Sequence, residues 1–338
     1  MRTLVCTQPW QFNYGKKEMP QLQKGHAIIK IKRIGICGTD LHAFEGTQPF
    51  FEYPRILGHE LAGKLIEFND APGFVIGETV SVIPYFNCGK CIACKNGLPN
   101  CCAAIKVCGV HIDGGFAEYL QVPSYSLLHA QGLDFDELVL AEPLAIGAHS
   151  IQRAAVKENE FVLVVGAGPI GLGIAEFAKI AGGNVIMMDV NDTRLNFCKE
   201  KLKINQTINP AQQDAMAIIK EITNGDMPTV VIDATGNQKA IINAFQYMAH
   251  GARYVLVGLQ KGDISFSHPE FHKREATLIS SRNATRKDFE QVITAIKNGL
   301  IQPANYITHR VKFSAVKDNF KSWLNPAAGV IKAMVEME

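Results

Sequence analysis

Five cysteines crowded into one short stretch point to a bound metal ion. The chain has nine cysteines, and this stretch holds Cys88, Cys91, Cys94, Cys101 and Cys102. Four thiolates on one loop satisfy the tetrahedral preference of zinc and leave no open position, which is typical of a structural site. We predict Cys88, Cys91, Cys94 and Cys102 as the ligands. Cys101 is an alternative fourth ligand, and an iron–sulfur cluster is an alternative occupant.

A second set of metal-ligating residue types is dispersed along the chain. Cys37 lies in a Gly-Ile-Cys-Gly-Thr-Asp segment, His59 and Glu60 are adjacent, and Glu142 lies in Ala-Glu-Pro-Leu. Thiolate, imidazole and carboxylate are all zinc ligands, and three of them leave one position for substrate or water. Each residue also fits an ordinary structural role, as a small core residue, a turn histidine or a helix-start acid. The pattern alone leaves both interpretations open.

A glycine-rich turn indicates dinucleotide binding. The segment Gly166-Ala167-Gly168-Pro169-Ile170-Gly171 follows an apolar run and opens a stretch with helical spacing, the context that makes this motif specific. The helix N-terminus would offer free N–H groups to the pyrophosphate. Asp189, further along, is expected to accept hydrogen bonds from ribose hydroxyls and to repel a 2′-phosphate, which favours NAD, although nearby Arg194 leaves NADP open. The predicted cofactor contacts are Gly166, Gly168, Pro169, Ile170, Gly171, Asp189, Arg194, Val257 and Gly258.

The secondary-structure elements that must position these residues follow two different sequence patterns. Short alternating segments at 26–34, 77–84 and 116–123 predict strands of a barrel-like β domain. From residue 161 onward, apolar runs alternate with helical spacing, which predicts a doubly wound parallel sheet. Residues 138–156 are predicted to form a linking helix. The fold class is therefore α/β with a second, β-rich domain.

Length, charge and apolar content indicate the number of domains and exclude some classes of function. A chain of 338 residues suits two domains. With 34 basic and 32 acidic residues and no basic run, the chain is not expected to bind nucleic acid. No apolar run reaches the roughly 18 residues that span a membrane, and the first residues do not resemble a signal peptide. We therefore expect a soluble, cytoplasmic protein with no membrane partner.

Taken in order, these motifs resemble those of the zinc-dependent medium-chain alcohol dehydrogenase family, in its polyol and threonine dehydrogenase branch. The resemblance rests on the segments around Cys37, His59 and Glu142, on the cysteine cluster, on the glycine turn, and on Asp-Gly-Gly-Phe-Ala-Glu-Tyr at 113–119. It covers nearly the whole chain. Segments at 48–55, 269–273 and 281–285 resemble more narrowly the bacterial dehydrogenases that act on L-galactonate and L-gulonate at C5.

The resemblance implies a domain organisation. A GroES-like catalytic domain would comprise residues 1–148 and 282–338, with a structural zinc lobe at 84–108. A Rossmann NAD-binding domain would comprise residues 149–281, and the active site would lie between the two domains. The family often forms dimers or tetramers, so a homo-dimer or homo-tetramer is expected.

The resemblance also assigns roles at the catalytic zinc. It implies Cys37, His59 and a glutamate as ligands, and both Glu60 and Glu142 stay candidates for that glutamate. Zinc polarises a substrate hydroxyl while hydride leaves for the nicotinamide.

Other residues are predicted to serve the substrate and its proton. Thr39 and His42 are positioned to carry the hydroxyl proton away, although a surface loop histidine is the plainer interpretation of His42. Arg55 and Arg282 are candidates to bind a substrate carboxylate, because a guanidinium binds a carboxylate with two parallel hydrogen bonds. Phe50 and Phe51 are expected to line the pocket.

The expected function is NAD-linked, zinc-dependent oxidation of a secondary alcohol of a sugar acid or polyol to a ketone. L-Galactonate or L-gulonate, reacting at C5, is the favoured small-molecule substrate. L-Threonine, sorbitol or a polyol phosphate is the alternative. A structural NAD-binding protein is the non-enzyme alternative, which the retained Cys37, Thr39, His42, His59 and Glu60 argue against.

Overall fold

The computed structural model describes residues 1–49 and 51–338. The chain forms two units, a β-rich unit of residues 1–143 and 285–338 and a parallel-sheet unit of residues 144–284. In the described part of the chain, no helix is both long and apolar enough to cross a membrane.

Short antiparallel strands make up most of the first half of the β-rich unit. In chain order the elements are β1 (Arg2–Gln8), β2 (Gln11–Lys16), β3 (His26–Gly35), α1 (Gly38–Glu45), β4 (Arg55–Ile56), β5 (Glu60–Phe68), β6 (Thr79–Val82), β7 (Tyr85–Phe86), α2 (Ile92–Lys95), β8 (Lys106–Val107), β9 (Tyr119–Pro123), β10 (Leu127–His129), α3 (Phe135–Val139) and α4 (Ala141–Ala154). Helix α4 begins in this unit and continues into the next.

A parallel sheet organises the second unit. Its elements are β11 (Phe161–Val165), α5 (Pro169–Ile180), β12 (Asn184–Met188), α6 (Asp192–Glu200), β13 (Thr207–Ile208), α7 (Ala215–Ile222), β14 (Val230–Asp233), α8 (Gln238–Ala244), β15 (Arg253–Leu256), α9 (His268–Lys273) and β16 (Thr277–Ser280). The strand order β13-β12-β11-β14-β15-β16 is that of the doubly wound dinucleotide-binding fold. Strand β11 is apolar and almost fully buried, as a strand covered on both faces must be.

The chain then returns to the β-rich unit. The last elements are α10 (Arg286–Lys297), α11 (Val316–Asn319), β17 (Ile307–Lys312) and β18 (Lys332–Glu336). Strand β18 pairs antiparallel with β3, so the main sheet reads β10-β6-β5-β3-β18-β17, with β9 also on β3. Its core includes contacting rings of Phe12, Phe44, Phe116 and Phe320. The predicted fold class, a β-rich GroES-like domain with a doubly wound sheet domain, is confirmed.

One element differs from the sequence-based prediction. The single linking helix expected over 138–156 is two helices, α3 and α4, separated at Leu140. Helix α3 starts earlier than expected because Asp134 and Glu137 form a reciprocal capping box at its N-terminus. The new helix start places Glu142 in the first turn of α4.

Candidate functional site

Strand pairing brings Cys37 and His59 together. Strands β3 and β5 pair antiparallel with Gly35 opposite Glu60. Cys37 lies two residues beyond the end of β3, and His59 lies one residue before β5, so both lie at the same end of the pair. The ligand atoms of Cys37, His59 and Glu60 all lie within 4.8 Å of one another. These three residues, called here the Cys37 group, are close enough to share one metal ion.

Asp40 ties the two ligand-bearing segments together. Its buried carboxylate accepts the backbone N–H of Cys37 at 3.0 Å through Oδ2 and that of Gly58 at 3.1 Å through Oδ1. Oδ1 also lies 3.6 Å from Nδ1 of His59. The sequence analysis did not assign Asp40 a role, although an acidic residue three positions after a helix N-cap is the signal of a capping box.

A buried ion pair holds Glu60. Lys332 and Glu60 are 1% and 0% exposed. The Lys332 ammonium donates to both Glu60 carboxylate oxygens, at 2.6 and 2.7 Å, and to the carbonyl oxygen of Ile36 at 3.1 Å. Burial alone lowers the pKa of Lys332, but the negative charges of Glu60 and Cys37 outweigh it, so the pKa is raised and the lysine stays charged. Gly35 makes room for this pair, because a Cβ there would lie 2.0 Å from Glu60 Oε2.

Glu142 lies beside the Cys37 group without joining it. The residue is 5% exposed, and its Oε1 accepts a hydrogen bond from the hydroxyl of Tyr85. Burial raises the pKa of Glu142. Burial and the charge of Glu142 raise the pKa of Tyr85 well above its usual value, so the tyrosine remains a proton donor. Of the two glutamates left open by the sequence, the structure places Glu60 with Cys37 and His59.

The donor set suits a metal cation. Nδ1 of His59 is buried and has no hydrogen-bond partner in the described residues. Burial by itself lowers the pKa of His59, but the charges of Asp40 and Cys37 raise it well above its usual value. The surroundings of this imidazole therefore attract positive charge. Thiolate, imidazole and carboxylate are the donors that zinc takes in proteins.

The four-cysteine lobe (residues 84–108) forms a second possible metal site. Strands β7 and β8 pair and close the lobe at its neck. Backbone N–H groups of Cys94 and Ala103 lower the pKa of Cys91 to about 6, which favours the thiolate that a metal binds. Cys101 is exposed and lies outside the sulfur group. The sulfur atoms that lie within 4.8 Å of one another are those of Cys88, Cys91, Cys94 and Cys102.

The glycine turn leaves a helix N-terminus accessible. Gly168 caps α5, Pro169 is its first residue and half-buried Ile170 its second. Gly166 has a φ of 102°, and a Cβ on Gly171 would lie 1.7 Å from the Gly166 carbonyl oxygen, whereas a Cβ on Gly168 would meet open space. The backbone can therefore approach an anion closely at this turn.

Asp189 directly follows β12 and is bound to this turn. Its Oδ2 accepts the backbone N–H of Ala167 at 2.6 Å, and its Oδ1 accepts that of Asn191 at 2.8 Å. Arg194 lies half-buried in the first turn of α6. The carboxylate thus lies against the glycine turn, at the end of the strand adjacent to β11.

Val257 and Gly258 leave β15 beside a buried acid. Their backbone N–H groups each donate to the carbonyl oxygen of Asp233 at 3.0 Å. The Asp233 side chain accepts the hydroxyl of Thr235 at 2.5 Å and the N–H of Gly236 at 3.1 Å. Asp233 shapes this end of the sheet and was not singled out from the sequence.

Comparison with known proteins identifies the family. Residues 23–132 match the alcohol dehydrogenase GroES-like domain, and residues 169–298 match the zinc-binding dehydrogenase domain. The chain is 44% identical to L-galactonate-5-dehydrogenase of Escherichia coli (strain K12), over 95% of this chain and 94% of that protein. It belongs to the zinc-binding dehydrogenase family. The predicted family and the predicted dehydrogenase activity are confirmed.

Two further proteins are similar over most of the chain. Sorbitol dehydrogenase of Halalkalibacterium halodurans is 31% identical, over 93% of each chain. A crystal structure of a short chain alcohol dehydrogenase from E. coli CFT073, complexed with cofactor NADH, has a TM-score of 0.92 at 32% identity and covers 99% of both chains.

Helix α1 carries Thr39 and His42, the two residues predicted to transfer the proton of the substrate hydroxyl. Cys37 caps α1, Thr39 is its half-buried second residue, and His42 lies exposed one turn further on. Nδ1 of His42 lies 3.2 Å from the Thr47 hydroxyl and 3.4 Å from Glu45 Oε2. The helix therefore leads from the Cys37 group toward solvent.

The predicted substrate-binding arginines lie in different units. Arg55 is largely buried and lies 3.8 Å from Asp113. Arg282 is exposed after β16, in the parallel-sheet unit. Phe51 packs edge-on against Tyr53 at 4.8 Å, and Phe50 lies outside the described residues. The roles of both arginines stay predictions.

Proposed function

We propose that this dehydrogenase oxidises a secondary alcohol of a sugar acid to a ketone, acting on L-galactonate or L-gulonate at C5 with NAD as hydride acceptor. The convergence of Cys37, His59 and Glu60 within 4.8 Å carries the proposal of metal-assisted chemistry. The choice of substrate is supported by 44% identity to L-galactonate-5-dehydrogenase. Sorbitol is the second candidate, since a sorbitol dehydrogenase is 31% identical.

Two zinc sites follow from the donor sets. Cys37, His59 and Glu60 would hold the catalytic ion, and Cys88, Cys91, Cys94 and Cys102 the structural one. When bound, zinc lowers the pKa of the substrate hydroxyl, and the nicotinamide accepts the hydride. Asp40 keeps the Cys37 and His59 segments in register, and Lys332 balances the charge of Glu60.

The hydroxyl proton needs a path to solvent. We assign it to Thr39 and His42, which lie three residues apart on α1 and therefore on one face of the helix. The Thr39 hydroxyl can accept and donate a proton at the same time, and the exposed imidazole of His42 can take up that proton and pass it to solvent. Oxidation then releases one proton for each hydride transferred.

The cofactor preference rests on Asp189. The carboxylate lies against the glycine turn through its hydrogen bond from the Ala167 N–H. There it would accept hydrogen bonds from the ribose hydroxyls and repel a 2′-phosphate. The proposal also includes binding of the substrate carboxylate by Arg55 or Arg282 and cofactor contacts at Val257 and Gly258. We propose that the chain assembles as a homo-dimer or homo-tetramer.

A substrate panel tests this function. NADH formation would be measured with L-galactonate, L-gulonate, sorbitol, L-threonine and polyol phosphates, and we expect the highest kcat/KM for a hexonate. Cys37→Ala should abolish turnover and retain NAD binding, whereas Cys101→Ala, at an exposed cysteine outside both groups, should keep parent activity. A higher kcat/KM for sorbitol or L-threonine contradicts the substrate. Full activity and zinc content in Cys37→Ala contradict the metal assignment.

A further inference from the structure

Tyr85 lies where the four-cysteine lobe meets the Cys37 group. It is the first residue of β7, and it pairs with Val107 of β8 across the neck of the lobe. Its side chain is 6% exposed. The ring packs edge-on against Phe289 of α10, with centroids 6.3 Å apart. The pairing of β7 with β8 and the ring contact with Phe289 together fix the position of the Tyr85 hydroxyl.

The Tyr85 hydroxyl donates a hydrogen bond to the Glu142 carboxylate, which a nearby bound cation would attract. Glu142 is buried beside Cys37, His59 and Glu60, so a cation bound by these residues would attract it at short range and low dielectric. The structure nevertheless keeps Glu142 outside the group of ligand atoms. The Tyr85 hydroxyl holds Oε1, and a hydrogen bond to a charged acceptor is among the stronger ones.

We propose that Tyr85 is a positioning residue that restrains Glu142 and so keeps it out of the metal ligand set. The consequence is that the Cys37 group supplies three protein ligands, which leaves one coordination position for substrate. Without the restraint, Glu142 would become a fourth protein ligand and would compete with the substrate hydroxyl. The inference rests on the proposed catalytic metal site.

The test replaces Tyr85 by phenylalanine, which keeps the ring, its packing and the strand ladder and removes only the donor. Tyr125→Phe is the matched control, because the Tyr125 hydroxyl also bonds at the lobe, to the carbonyl oxygen of Asn87 at 3.3 Å. Cobalt substituted at the Cys37 group gives a visible spectrum that reports the number and kind of its ligands. The rate of cobalt loss to a chelator reports an added ligand.

For Tyr85→Phe we expect visible bands shifted from those of the parent, because the Glu142 carboxylate replaces the solvent ligand at the open position, and slower cobalt loss. We also expect a fall in kcat/KM of about 10- to 100-fold, the scale of one hydrogen bond to a charged group. Tyr125→Phe should match the parent in all three. Addition of Glu142→Ala to Tyr85→Phe should return the spectrum to that of Glu142→Ala alone, since the tyrosine acts only through this carboxylate.

An unchanged spectrum in Tyr85→Phe, faster cobalt loss, or an equal effect of the substitution with and without Glu142 would each overturn the inference. The cobalt spectrum does not depend on which substrate is correct. If no hexonate is oxidised but the spectra change as expected, only the proposed substrate is refuted. If the enzyme oxidises a hexonate but Tyr85→Phe has the parent spectrum, only the role of Tyr85 is refuted.

Discussion

Replacement of Lys332 by methionine tests the buried ion pair beneath the candidate metal site. The change removes three hydrogen bonds from the ammonium, two to Glu60 and one to the carbonyl of Ile36. In the metal-free protein it also leaves Glu60, which is 0% exposed, with no counter-charge. Removal of one partner of a buried pair costs about 3–5 kcal/mol. We therefore expect the folding equilibrium constant to fall by more than about a hundredfold.

Tryptophan fluorescence during urea unfolding of the metal-free protein measures this loss in the β-rich unit. The two tryptophans of the chain, Trp10 and Trp323, both belong to the β-rich unit that contains Lys332. The control is the double variant Lys332→Met with Glu60→Gln. It should recover at least half of the loss, because it no longer buries an uncompensated charge. A Lys332→Met variant within about 1 kcal/mol of the parent, or a double variant no more stable than the single one, would refute the reasoning.

Three further predictions concern other parts of the molecule. Asp189→Ala should reduce the preference for NAD over NADP, measured as the ratio of the two kcat/KM values, and an unchanged ratio contradicts the role of the carboxylate. Cys91→Ser should lose about one zinc per chain and unfold at lower temperature, whereas Cys101→Ser should match the parent; equal behaviour of the two variants contradicts a four-sulfur site. Asp136→Asn should lower stability by about 1 kcal/mol at pH 7. Burial raises the pKa of Asp136, but two arginine side chains outweigh it and hold the pKa below its usual value. That contribution is complete above the unfolded-state pKa of about 3.9 and is lost as the pH falls through the lower folded value. A stability difference that does not shrink as the pH falls below the unfolded-state value contradicts it.

Short-range motifs carried most of what could be predicted. The clustered cysteines of the four-cysteine lobe lie within fifteen positions, and the glycine turn lies between a strand and a helix that its own sequence predicts. Alternation of apolar runs with helical spacing likewise indicates a parallel sheet, because each strand and helix has its own local pattern. Such features need no knowledge of distant pairing.

Contacts between distant segments could not be predicted in the same way. Lys332 lies 272 positions from Glu60, in an apolar strand where a single lysine is typical of an exposed position. Only the pairing of β18 with β3 buries it. Tyr85 and Glu142 are separated by 57 positions, and neither segment contains a pattern that reports the other. The grouping of Glu60 with Cys37 and His59 likewise depends on the register of β3 and β5, in which Gly35 lies opposite Glu60.

The zinc content of a Cys37→Ser variant tests the central claim most directly, since that claim is one metal ion held by Cys37, His59 and Glu60 besides the ion in the four-cysteine lobe. Metal analysis of purified protein should find about two zinc ions per parent chain and about one per variant chain, with the fold intact. About two zinc ions in the folded variant would contradict the claim.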